Sequence, residues 1–380
     1  MNPAIVSTGG SLIRALNARK KATSIDLGLG EPTLGPDLAY FDEATRWVAE
    51  HGCHYTANVG DAALRAAIAR HYAYPAMNKP ENVCITTGSQ EALYVAIKTL
   101  LDPAKDELLL VEPAFSVYDK LTAVEGIALT RVSMPAQTGF AFDAQRVLEA
   151  LTPRTRMILM CSPCNPTGRV ISSAAAAEIA RALLARPGPP VYILHDEIYR
   201  ELLYVEDAAN FGELYPYTIA INSLSKSNAL TGLRIGWLMA PSDVMGELVK
   251  MHSWATSCAS TFGQVIAARI FAQDALGAQR AWYLAQRESA VAAARAAGLE
   301  FVMPEGAFYL CVNVGADDDV AFGYRLIDEA DVVAIPGSNF GASLSGWLRT
   351  SFVAPPEVLR EGLARIAQLS ATLRSQRARV

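Results

Sequence analysis

From residue 83 to residue 239, short runs rich in β-branched and other large apolar residues alternate with helical stretches. The runs are 83–86, 107–111, 127–131, 156–160, 191–195, 218–222 and 235–239. Beside them, 62–71, 90–101 and 174–185 carry apolar residues at helical spacing, and the last is rich in alanine, the best helix former. Strands separated by helices pair mostly in parallel, and a parallel sheet is covered on its faces by those helices. The alternation therefore predicts an α/β fold with a mixed, mostly parallel seven-stranded sheet between helices.

Past residue 261 the pattern changes. The chain becomes largely helical to about residue 298, returns to short strands at 308–312 and 332–335, and ends in a helix from Pro356 onward. This reads as a smaller α+β domain. At 380 residues the chain exceeds the size at which one core keeps growing, so two domains are expected. The expected division is an N-terminal arm contributing to the small domain (1–35), a large domain (36–280) and a small C-terminal domain (281–380). The Pro- and Gly-rich patch 31–36 is the loop that links the arm to the large domain.

Composition narrows the function classes. A net charge of -5 with dispersed Lys and Arg lacks the basic stripe that neutralises nucleic-acid phosphates. Apolar runs such as 108–111 are far shorter than the roughly 18 to 20 residues that span a bilayer. Residues 1–21 lack the basic start and apolar core of a signal peptide, and the six cysteines are scattered, so a cytoplasmic protein is expected.

Four segments carry chemistry. Lys226 follows a strand-like run and sits among Ser223, Ser225 and Ser227, with Arg234 eight positions on. A reactive amine beside hydroxyls and a guanidinium suits a phosphorylated aldehyde, provided that burial and nearby cations keep the amine neutral. In Ile85-Thr-Thr-Gly-Ser-Gln-Glu-Ala-Leu, a Gly-Ser turn joins strand to helix, so the backbone N–H groups of Ser89 and Gln90 can face an anion. His195-Asp-Glu-Ile-Tyr puts Asp196 at the carboxyl end of a strand, where it can hold a pyridinium proton, and Tyr199 three residues on is expected one helical turn away on the same side. Ser162-Pro-Cys-Asn-Pro-Thr-Gly fixes a loop that projects the Asn165 amide. Each segment also has a plainer reading: a solvated lysine, a helix cap, a capping aspartate, a turn asparagine. Cys161 and Cys164 spell C-x-x-C, but no second pair or histidine follows at metal-ligand spacing, so no metal site is expected.

The order and spacing of these pieces resemble the fold-type-I pyridoxal-phosphate enzymes, specifically the class I/II aminotransferases. The resemblance runs from Leu27-Gly-Leu-Gly-Glu-Pro through Tyr55-Thr-Ala-Asn-Val-Gly, Cys164-Asn-Pro-Thr-Gly, Asp196-Glu-Ile-Tyr, Ser225-Lys and Gly232-Leu-Arg to Pro304-Glu-Gly-Ala-Phe-Tyr, Pro336-Gly-Ser-Asn-Phe-Gly and Leu348-Arg-Thr-Ser-Phe. It implies pyridoxal 5′-phosphate as cofactor, held by Lys226 as a Schiff base, with Asp196 on the pyridine nitrogen and Asn165 and Tyr199 on the phenolic oxygen. Ser89, Gln90, Ser223 and Arg234 would take the phosphate, with Ser225 a further hydroxyl candidate. Phe115 matches the aromatic that stacks on the ring. Tyr55 matches a tyrosine that reaches the phosphate of the neighbouring subunit, which implies a homodimer with shared sites, and Thr261 is placed near the same phosphate. Arg349 matches the arginine that receives the substrate α-carboxylate, with the Gly30 backbone as a second anchor.

The activity so implied is ping-pong transfer of an amino group from an L-amino acid to a 2-oxo acid, with Lys226 as anchor and proton carrier. A carbon-sulfur β-lyase of the same fold shares the lysine, aspartate and arginine and is the alternative enzyme. A ligand-sensing regulator is the non-enzyme alternative, set against the negative charge and the absence of an N-terminal extension before the matched motifs. Relatives that prefer dicarboxylic substrates often carry a cation to pair with the second carboxylate, and bacterial aspartate-type members tend to have Lys where this chain has Gln90; its absence weakens an aspartate assignment without excluding it.

Overall fold

In the computed structural model, which describes residues 1–377, thirteen strands occur in chain order. A short strand β1 (Ile25–Asp26) precedes β2 (Val83–Thr86), β3 (Glu107–Glu112), β4 (Ala128–Ser133), β5 (Thr155–Cys161), β6 (Tyr192–Asp196), β7 (Thr218–Ser223) and β8 (Gly236–Met239). The C-terminal part holds β9 (Glu300–Phe301), β10 (Tyr309–Asn313), β11 (Val332–Val333), β12 (Ile335–Pro336) and β13 (Trp347–Ser351).

The seven runs expected as strands form one seven-stranded sheet in the order β2-β8-β7-β6-β5-β3-β4. It is parallel except at β8, which runs antiparallel to both neighbours. Every residue of β2, β7 and β8 is buried, which requires cover on both sheet faces. Helices Ala62–Tyr72, Ser89–Leu100 and Ser173–Ala185 supply part of that cover. Local chemistry starts two of them: Asp61 accepts from Leu64 N and Ser172 accepts from Ala175 N, satisfying N–H groups that the first helical turn leaves open.

A second, antiparallel sheet has the order β12-β13-β10-β9. Arg349 lies in its middle, opposite Cys311 of β10 and Ile335 of β12. The run expected as one strand at 332–335 is two. Val332–Val333 pairs in parallel with Ile25–Asp26, then the chain passes Ala334 and Ile335–Pro336 joins β13. One short apolar run thus serves two sheets, and the first of them ties the N-terminal segment beside the C-terminal part. Among the described residues, no helix is long and apolar enough to cross a membrane.

Candidate functional site

Three parallel strands end side by side at Cys161, Asp196 and Ser223, and the chemistry-bearing residues gather beyond those carboxyl ends. After β7, Ser223 accepts from Ser225 N at 3.2 Å and starts the short helix Leu224–Ser227 that carries Lys226. The Lys226 amine donates to the Gly30 carbonyl at 2.7 Å and stands 5.8 Å from the centre of the Phe308 ring. Burial lowers its pKa. Glu31 opposes that effect, Arg349 and Arg234 add to it, and the balance brings the amine down to about 8.

The Gly-Ser turn begins helix Ser89–Leu100 with Gly88 at φ +80, a left-handed backbone that glycine adopts without strain. No side chain caps this helix. Its first N–H groups, those of Ser89 and Gln90, therefore remain for an anion, while the Gln90 side chain is exposed. Arg234 lies against the turn, so that a Cβ at Gly88 would collide with its guanidinium. Register closes the group, since Gly236 pairs with Thr86 on one side and Ser223 on the other, and a Cβ at Gly236 would lie 2.6 Å from Ser89 N. A helix N-terminus, a hydroxyl and a guanidinium thus converge at one end of the sheet.

Asp196 is 4% exposed. Its Oδ2 accepts the Tyr118 hydroxyl at 2.7 Å and its Oδ1 accepts Ile198 N at 3.2 Å. Burial outweighs these two hydrogen bonds and pushes the carboxyl up to about 6. Tyr199 does not sit one α-helical turn beyond Asp196. The strand ends at Asp196, and Tyr199 is the non-helical residue before the 3₁₀ turn Arg200–Leu202. Its hydroxyl lies 2.8 Å from that of Tyr309.

The Arg349 guanidinium, 2% exposed, donates to Asn165 Oδ1 at 3.1 Å and to the Gly28 carbonyl at 2.5 Å. It lies 4.5 Å from the Tyr309 ring centre and 4.9 Å from that of Phe340, and its buried Nε has no partner. Phe115 is half-buried and meets Tyr118 edge to face at 5.7 Å. Ser225 is buried, with its N–H on Ser223. Tyr55 is the outlier at 89% exposed, and Thr261 is joined to its segment through a 2.6 Å hydrogen bond to the His54 carbonyl. Two neighbours were not singled out from the sequence. Tyr118 lies three residues after Phe115, in the first turn of helix Val117–Val124. Tyr309 ends the quoted Pro304-Glu-Gly-Ala-Phe-Tyr motif. The thiols of Cys161 and Cys164 turn to the carbonyls of Pro163 and Pro113, and among the described residues no group of three or more His, Cys, Asp or Glu could hold a metal ion.

Residues 22–366 match the family model of aminotransferase class I and II. The chain is a class I and II aminotransferase. It is 32% identical over 375 residues to an aspartate aminotransferase of Pyrococcus horikoshii, covering 94% of this chain and 93% of that one. It is equally identical to a probable N-acetyl-LL-diaminopimelate aminotransferase of Bacillus subtilis, over 90% of this chain and 88% of that one. Among solved structures, the aspartate aminotransferase of Thermus thermophilus with maleate superposes with a TM-score of 0.90 at 29% identity, covering 97% of this chain and 99% of that one.

The family depends on pyridoxal 5′-phosphate, and this aminotransferase has residues that fit it. The uncapped helix start with Arg234 suits a phosphate, the buried Asp196 carboxyl suits a ring N–H, and the Lys226 amine, drawn toward neutrality, suits an aldehyde.

Proposed function

We propose that this aminotransferase moves the amino group of an L-amino acid to a 2-oxo acid by a ping-pong route, with Lys226 as covalent anchor and proton carrier. The observation that carries the reading is the Lys226 amine. It is brought down to about 8, and Arg349 and Arg234 contribute to that lowering as the anchors here assigned to substrate carboxylate and cofactor phosphate. Bound there, pyridoxal phosphate supplies the carbon that carries the amino group and a ring that draws electrons from the substrate α-carbon.

The chain's own residues do the rest. Ser89 and Gln90 N–H groups, Ser223, Ser225 and Arg234 hold the phosphate. Asp196 keeps a proton on the ring nitrogen, and Tyr118 orients its carboxylate through the 2.7 Å hydrogen bond. Asn165 and Tyr199 hold the phenolic oxygen, and Phe115 packs against the ring. Arg349 takes the α-carboxylate through a planar fork, with the Gly30 backbone beside it. The Lys226 amine, which here donates to the Gly30 carbonyl, would carry the α-proton. We further propose a cytoplasmic homodimer, each subunit built as an N-terminal arm (1–35), a large domain (36–280) and a small domain (281–380), with Tyr55 and Thr261 serving the partner's phosphate. The 89% exposure of Tyr55 and the six free cysteines support this.

The test is Lys226→Ala assayed for amino transfer with a panel of amino acids and 2-oxo acids. The expected result is loss of turnover by several orders of magnitude, and substantial remaining transamination overturns the assignment. In the wild type, release of pyruvate and ammonia from cysteine-type substrates without consumption of an oxo acid would instead indicate a β-lyase.

A further inference from the structure

The turn that faces the anion is held from behind by a buried ion pair. Glu91, in the first turn of helix Ser89–Leu100, accepts Thr87 N through Oε2 at 2.5 Å. Its Oε1 accepts the Thr256 hydroxyl at 2.8 Å and lies 2.8 Å from His252 Nδ1. His252, on helix Ser242–Thr256, is fully buried, and its Nε2 lies 2.9 Å from the Asn58 carbonyl. A carbonyl oxygen and a carboxylate only accept, so both ring nitrogens are placed to donate, which is the hydrogen-bonding pattern of an imidazolium. Burial alone would push the Glu91 carboxyl up, but the hydrogen bonds from His252, Thr87 and Thr256 and the His252 charge together outweigh it and hold the group below its ordinary value.

This arrangement sets a carboxylate two residues from the N–H group of Ser89, where a second negative charge would repel an incoming phosphate. We propose that His252 is a positioning residue for the cofactor phosphate: its imidazolium neutralises Glu91, so that Glu91 can brace the Thr87–Gly88 turn without repelling the anion. Its second proton ties the same turn to the Asn58 carbonyl, in the segment that carries Tyr55. The proposal rests on the reading that Ser89, Gln90 and Arg234 take the phosphate.

Two measurements test it. One is the rate at which the holoenzyme loses cofactor absorbance during washing, and the other is calorimetric binding of inorganic phosphate to the stripped protein. His252→Gln leaves the buried carboxylate uncompensated and should speed release and weaken phosphate binding by about tenfold, the order of one unit of charge coupling. Glu91→Gln alone keeps an acceptor for Thr87 N and should change little, and the double variant should return to within about threefold of wild type. A mere packing role would not be rescued by the second substitution. Thr256→Val removes one donor from Glu91 and should speed release two- to threefold, roughly the value of one weak hydrogen bond, so the idea stays testable if His252→Gln does not fold. Wild-type release in His252→Gln or Thr256→Val, or a double variant no better than His252→Gln, overturns the proposal. Arg234→Met separates the two layers: if it leaves retention unchanged the phosphate reading itself fails, whereas fast release there with normal retention in His252→Gln removes only the role of His252.

Discussion

Replacing Arg349 by lysine keeps a positive charge and removes a shape. The guanidinium is 2% exposed, bonded to Asn165 and the Gly28 carbonyl, and flanked by the Tyr309 and Phe340 rings. A lysine ammonium can satisfy one carboxylate oxygen but not present two parallel donors in a plane. One charge-assisted hydrogen bond lost to a buried anion is worth about 2 kcal/mol. Because the site is buried, solvent does not screen this loss, and about 2 kcal/mol corresponds to a fall of roughly 30-fold in kcat/KM. The assay compares an amino acid with the primary amine that lacks its α-carboxylate. For the amino acid, Arg349→Lys should lose about thirtyfold. For the amine, which offers nothing to the fork, it should lose less than about threefold. A loss below tenfold for the amino acid, or an equal loss for both substrates, would refute carboxylate recognition by Arg349.

Other outcomes follow from the same geometry. Capture of pyridoxal phosphate by the stripped protein needs a neutral Lys226, so its rate should rise with pH up to about 8 and then level off; a stopped-flow profile still climbing at pH 10 would show an ordinary lysine. In the stripped protein, the Asp196 carboxyl at about 6 binds a proton that an unfolded carboxyl, at about 3.9, has already lost. Its contribution to stability is thus present below pH 4 and lost as pH rises toward 6. Asp196→Asn escapes that loss and should be more stable than wild type by up to about 3 kcal/mol at pH 8 and equal at pH 4, read by denaturant melts, while losing activity when loaded. Gly88→Ala places a Cβ against Arg234 at a φ of +80, so it should lose cofactor retention and about 1–2 kcal/mol of stability; retention at the wild-type level would show that Arg234 moves freely from the turn.

The large sheet was legible in the chain because each of its strands is a short run set between helices, and in β2, β7 and β8 burial on both faces leaves a signal in every residue. The 332–335 run was misread because periodicity reports burial and not partner: Val332 and Ile335 are equally buried but pair with different sheets. At the candidate site, the gathering of Lys226, Asp196, Asn165 and Arg349 was legible because each sits in a local motif whose loop or strand end shows in the sequence. Tyr199 was found by count but placed on the wrong element, since Asp196-Glu-Ile-Tyr leaves its strand through an irregular turn before a 3₁₀ helix instead of entering an α-helix. The His252–Glu91 couple left no trace. Glu91 reads as an ordinary acidic residue in a first helical turn, favourable toward the helix dipole and needing no partner. Its partner lies 161 residues away on another helix, and the carbonyl that fixes the histidine's second proton belongs to a third segment. Motifs reveal the groups that meet a ligand because they cluster along the chain. The groups that hold a binding turn at the right charge are recruited from wherever the fold brings a side chain behind it, so they appear only when the distances are measured.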